Sequence, residues 1–244
     1  MQFGFGSGIL YATRTDIAGQ GPIRFGAFQD MQLDFSGEVK ELYGQNQFAL
    51  DVARGKVKIE AKAKFAQISA AVMNAIFFGG TISAGQTISM YGEAGAVPAD
   101  APFTDTVAHA ATFAGDLGVY DALTGTPFTR VTAAPTAAGT YAVAAGGVYT
   151  FSAPDAGRAV LIDYTYAATT GWTMASGNPL MGNTPRFSAS FAQTYGGNTT
   201  TILMPNCVGS KLAMPTKVDD YVIEEFDFMA FAGAGSPITI STTL

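Results

Sequence analysis

Residues able to do chemistry are few and scattered along this chain. The single histidine, His109, lies in an alanine-rich run, Val107-Ala108-His109-Ala110-Ala111, with Asp105 as its nearest acidic neighbour. One imidazole with carboxylates is a thin ligand set for a metal, and an ordinary surface or interface histidine is the expectation. Cys207, the single cysteine, would need that same imidazole as its base to act as a nucleophile. It reads instead as a small buried hydrophobe. Asp219-Asp220 and Glu224-Glu225 are paired carboxylates, the residue type of acid–base catalysis. Adjacent residues of an extended strand point to opposite faces, so neither pair can work in concert. A solvated acidic strip on a strand that also carries Phe226 and Phe228 is the expectation. Gly4-Phe5-Gly6-Ser7-Gly8 lacks the Gly-Lys-Ser/Thr ending and the preceding strand of a phosphate loop, and reads as a flexible arm. Asn198-Thr199-Thr200 fits a glycosylation site and, better, a polar turn before a strand. No enzyme, metal or cofactor is expected from this set.

Composition points the same way. The 244 residues hold 13 Lys+Arg against 19 Asp+Glu, a formal net charge of -6, and 29 are glycine. An acidic balance argues against a protein built to grip nucleic acid, and the aromatic and β-branched content argues against disorder. One cysteine excludes a disulfide framework and a Cys/His zinc cluster. The start of the chain lacks the basic and apolar regions of a signal peptide, and the most apolar stretch, 65–78, is too short and interrupted to span a bilayer, so no membrane association is expected.

Charge divides the chain. Residues 21–67 hold seven Lys/Arg and six Asp/Glu, whereas 81–178 hold only Arg130 and Arg158 against seven acids. No lysine falls between Lys64 and Lys211. The Ala-, Thr- and Gly-rich middle reads as an insertion over 81–178, in a discontinuous host domain of 1–80 and 179–244.

The elements that must position these residues are mostly strands. Over 28–36, Asp30, Gln32, Asp34 and Ser36 alternate with Met31, Leu33 and Phe35. Over 56–65, Lys56, Lys58, Glu60, Lys62 and Lys64 alternate with Val57, Ile59, Ala61, Ala63 and Phe65. Period-two alternation puts one face on a core and the other in water. Antiparallel pairing of the two would set Asp30 and Asp34 among the lysines, which suits strand protection or inter-subunit charge pairing better than DNA binding. Residues 37–55, far longer than a tight turn needs, read as a long apolar-tipped hairpin whose Leu42, Tyr43, Phe48 and Leu50 seek something to bury against. A helix is predicted over 70–78, capped by Ser69 and ended by Gly79-Gly80. The insertion predicts short strands at 117–120, 128–131, 148–152 and 159–166, with a type I turn at Pro154-Asp155-Ala156-Gly157 and a small β-sandwich over 105–167. Strands return at 186–191, at 200–204 before Pro205, and at 221–231.

Residues 22–65, with their strand ending Asp-Phe-Ser, then Lys-Glu-Leu-Tyr-Gly, then Ala-Arg-Gly leading into the lysine strand, resemble the opening hairpin of the tail tube (major tail) proteins of long-tailed bacteriophages. Met204-Pro205-Asn206-Cys207, Lys211-Leu212 and residues 219–232 resemble the closing strands of the same family. Together these blocks cover about half of the chain. The resemblance implies a mainly β fold, a tail-tube-like β-sandwich or barrel with one short flanking helix. It further implies hexameric rings stacked around a tape-measure protein, with tail terminator and distal tail proteins as partners and DNA only in transit. The protein would reside in the virion tail, and in the host cytoplasm during assembly. Leu42, Tyr43, Phe48 and Leu50 would then form an assembly arm, residues 1–20 an arm ordered on assembly, and Asp219, Asp220, Glu224 and Glu225 a lumen-facing strip. The inserted domain would lie on the tube exterior. A decoration or baseplate protein, and an adhesive module using the insertion, are the alternative expectations.

Overall fold

A computed structural model describes residues 6, 8–67, 69–216 and 218–243. The chain is mainly β, 57% strand and 6% helical, and forms two compact units, one of residues 1–82 with 174–244 and one of 83–173.

The first unit is built on an eight-stranded sheet in the order β2 (Ile23–Arg24), β1 (Ile9–Arg14), β12 (Arg186–Tyr195), β13 (Asn198–Ala213), β14 (Glu224–Ala230), β4 (Ala49–Phe65) and β3 (Phe28–Tyr43). The eighth strand, β15 (Thr239–Thr242), pairs with the first half of β13, where β14 pairs with the second. All of these pairings are antiparallel. The sheet curls over on itself. Phe25, just past β2, meets Phe65 of β4 edge-on at 5.1 Å, and Phe28 of β3 lies 6.0 Å from Phe191 of β12. Inside lie Leu10, Phe25, Phe65, Phe187, Met204, Cys207, Phe226 and Phe228, all buried. Apart from Phe25, which follows β2, each faces inward from its strand, with Met204 and Cys207 both brought inward by the bulge between them.

One end is covered by α1 (Ala70–Met73), which continues as a π-helical turn through Asn74–Phe78. Ser69 sits at the N-cap position but makes no side-chain cap bond, contrary to expectation; its carbonyl accepts from Met73 N–H instead. Gly79 takes the left-handed conformation that ends the turn, and the Asn74 amide bonds Gly80 at both its N–H and its carbonyl. The turn presses so closely on β13 that a Cβ on Gly209 would stand 2.9 Å from the Ile76 carbonyl oxygen.

Residues 37–55 form the long hairpin: β3 and β4 stay paired out to Tyr43 and Ala49, leaving a turn of 44–48. Two expectations for this unit are corrected. Residues 9–14 are not a free arm but a sheet strand held between β2 and β12; residues 1–5 and 7 lie outside the described residues. Pro205 does not end its strand. It falls where two residues of β13, Pro205 and Asn206, stand against one of β12, Ser188, a bulge in which the missing N–H costs no ladder bond.

The second unit pairs a four-stranded sheet, β6 (Thr104–Thr106), β10 (Val148–Phe151), β9 (Thr140–Ala144) and β8 (Thr129–Arg130), with a three-stranded one, β5 (Thr81–Ala96), β11 (Ala159–Ala175) and β7 (Phe113–Asp121). Val119, Tyr141, Tyr149, Phe151, Val160, Ile162 and Tyr164 share its core. Sequence patterning missed β5, β6 and β9: β5 is Gly- and Ala-rich and largely exposed, so it has no alternation to read. Pro154-Asp155-Ala156-Gly157 lies in a turn, which opens with a 3-10 segment, Ala153–Asp155. Its Asp155 is fully buried, accepting from Ser152 Oγ at 2.5 Å and Gly139 N–H at 2.8 Å, with Arg158 3.2 Å away.

Candidate assembly surface

The β3–β4 ladder runs well beyond the core it helps to build. Ile59, Ala61 and Ala63 of β4 are buried, but their face continues through Phe35, Val57, Val39 and Val52 to Tyr43, every one more than half exposed. A bulge at Gly55 and Lys56 keeps the two strands in step, with Val39 opposite Arg54. Leu42 and Leu50 are exposed too, and Phe48 at the turn is 84% exposed. The Tyr43 hydroxyl donates to Glu41, whose carboxylate holds the phenol pKa above its ordinary value. Leu42, Tyr43, Phe48 and Leu50 thus lie together at one end of a hairpin. The exposed apolar Phe35, Val39, Val52 and Val57 below them were not singled out by sequence, although their strand parity was the available signal.

The opposite face of the same strands is charged. Asp30 stands across from Lys64, Gln32 from Lys62, Asp34 from Glu60 and Ser36 from Lys58. On the other side of β4, Glu225 faces Lys64 and Asp227 faces Lys62. Register therefore places Asp30 beside a lysine, but Asp34 stands opposite a carboxylate, not a lysine. Lys64 bonds Glu225 at 3.3 Å, with Lys211 4.0 Å away, and the Gln32 amide donates to both Asp34 oxygens at 3.1 Å. A shallow cleft of about 250 Å³ opens between Asp30, Gln32, Lys62, Lys64, Glu225 and Asp227. Lys56 and Lys58 continue this face toward the hairpin and are exposed.

The outer face of the other half of the sheet has a different character. There Ile9, Tyr11 and Thr13 of β1, Ser188, Ser190 and Ala192 of β12, and Thr201 and Leu203 of β13 lie in register without one charge. Thr194 and Thr199 join their hydroxyls at 3.0 Å.

The four acids of the expected strip separate. Asp219 and Asp220 are exposed, the latter accepting from Tyr221 N–H at 2.8 Å, and Glu225 is partly exposed. Glu224 is the correction: it is fully buried, because it shares the inward parity of Phe226 and Phe228. Burial raises its carboxyl pKa, and neither oxygen has a hydrogen-bond partner among the described residues.

The reactive residue types do not converge. Cys207 is buried, its Sγ 3.6 Å from the Met204 carbonyl, with burial pushing the thiol up to about 12. His109 belongs to the second unit and stacks flat on Tyr166 at 3.8 Å. Among the described residues, no three His, Cys, Asp or Glu side chains are grouped to hold a metal ion. Nor is any helix among them long and apolar enough to cross a membrane.

No protein-family model matches this sequence, and no curated protein matches it. Function has to be read from the surfaces themselves.

Proposed function

We propose that this protein is a structural subunit that assembles with copies of itself, and that the assembly is the tail tube of a long-tailed bacteriophage. The observation that carries the first half is the hairpin of β3 and β4, which leaves its own core with apolar side chains on display. An exposed row of this length on a strand pair is a liability in a lone chain and an interface in an assembly. The second half rests on the resemblance of residues 22–65 and 204–232 to that family. In this reading the hairpin seats on a neighbouring copy, the charged face of β3, β4 and β14 aligns subunits, and the tape-measure protein and then DNA occupy the tube. The inserted unit lies on its exterior, and the subunit does no catalysis.

Negative-stain electron microscopy and light scattering of the purified chain test this directly. Rings or hollow tubes are expected at high concentration. Leu42→Asp and Phe48→Asp should abolish them while the circular dichroism spectrum and melting temperature hold. A chain that stays a monodisperse monomer at high concentration, or normal assembly by both variants, overturns the reading.

A further inference from the structure

Glu224, at the first position of β14, is a fully buried carboxyl whose two oxygens have no hydrogen-bond partner among the described residues. It stands opposite Phe65, the last residue of β4. No charged group among the described residues faces it. On its own strand Glu225 and Asp227 point outward, and on β4 Lys64 and Lys62 lie on that same outer face. On β13, Lys211 also lies outside, near Glu225. On β2, Arg24 is exposed, while α1 and the π turn have no ionisable side chain. Lys217 is outside the described residues. The described residues before Glu224, 214–216 and 218–223, form no strand or helix and expose Met214, Val218, Tyr221 and both aspartates. A buried carboxyl without partners is tolerable as the neutral acid and very costly as the anion.

We propose that Glu224 is a proton-operated latch: protonated, it holds the start of β14 against the end of β4, and on losing its proton it leaves the interior and frees that corner together with residues 214–223. The latch does not depend on the tail-tube reading. Its sign is fixed by burial. The closed form binds the proton more tightly than the open one, so closure is complete below the ordinary glutamate range and weakens as pH rises above it.

Hydrogen exchange of the full chain, read by mass spectrometry across pH and corrected for intrinsic rates, tests it. Protection in peptides covering 60–66 and 214–228 should fall by up to about tenfold per pH unit above the ordinary glutamate range, the slope of a one-proton linkage. Peptides from 140–166, in the other unit, should not change. Glu224→Gln and Glu224→Leu should flatten the profile. A wild-type chain without this local pH dependence overturns the latch whether or not the variants fold, as does an unchanged slope in either folded variant.

Discussion

Phe35 and Ile59 stand directly opposite each other across the β3–β4 ladder, yet Ile59 is 6% exposed and Phe35 56%. The pair marks the line where the interior of the first unit stops and the free hairpin begins. Ile59→Ala should cost about 2–4 kcal/mol in denaturant unfolding, as for other buried large-to-small changes. Phe35→Ala should change stability by less than about 0.5 kcal/mol, as for exposed positions, and weaken self-association instead. Equal losses at both sites would mean that Phe35 is covered within the single chain.

Asp116 of the second unit accepts from Tyr141 at 2.8 Å and Tyr149 at 2.9 Å, with Arg130 at 3.5 Å. Its own side chain is 4% exposed. Asp116→Ala leaves two buried phenols without an acceptor and should destabilise this unit by about 2–5 kcal/mol. Tyr149→Phe removes one bond of several and should cost about 1 kcal/mol. Thermal unfolding of the single variants measures both, and an Asp116→Ala cost no larger than that of Tyr149→Phe would show the network to be incidental.

Alkaline titration should find these tyrosines late. Burial, then the hydrogen bond to Asp116, drives the Tyr141 and Tyr149 phenols far above the ordinary value, and burial with the Glu93 contact lifts Tyr164 to about 12. A phenol with a raised folded value stabilises fully below its unfolded pKa, about 10, and loses that contribution as pH climbs past it. Tyrosinate absorbance should therefore rise in two stages, the second coinciding with unfolding of this unit. A single stage while the chain remains folded contradicts the burial.

Removal of the second unit should leave the first intact. Within the first unit, Gly80 lies so near Ala175 that a Cβ on Gly80 would stand 2.0 Å from the Ala175 carbonyl oxygen. A chain with 83–173 replaced by a short Gly/Ser link should keep the Phe226 and Phe228 core and unfold cooperatively. Failure to fold would make the insertion part of the stability of its host, and loss of assembly in a folded deletion would give it an interface.

What was legible in the sequence follows the core. Where a strand has one wet and one dry side, as in 28–33 and 59–65, alternation marks strand and inward face alike. From Phe35 and Val57 outward both faces are wet, so alternation there no longer marks a core face, and only the apolar tip of the hairpin was legible. The flat Gly- and Ala-rich β5 was invisible for the same reason. Glu224 was misplaced because a carboxylate suggests water, although its parity with Phe226 and Phe228 already pointed inward. Asp155 lies in a turn as expected, but its burial was not legible: Ser152 and Arg158 are local partners, whereas Gly139 is brought to it only by tertiary packing.

The split outer surface of the large sheet has a consequence for solution chemistry. Salt acts oppositely on its two halves: screening weakens contacts made through the lysine–carboxylate face, while sulfate or phosphate strengthens burial of the Ile9, Tyr11 and Leu203 face. Raising the concentration of such an anion then moves contact from the charged side of the molecule to the apolar one.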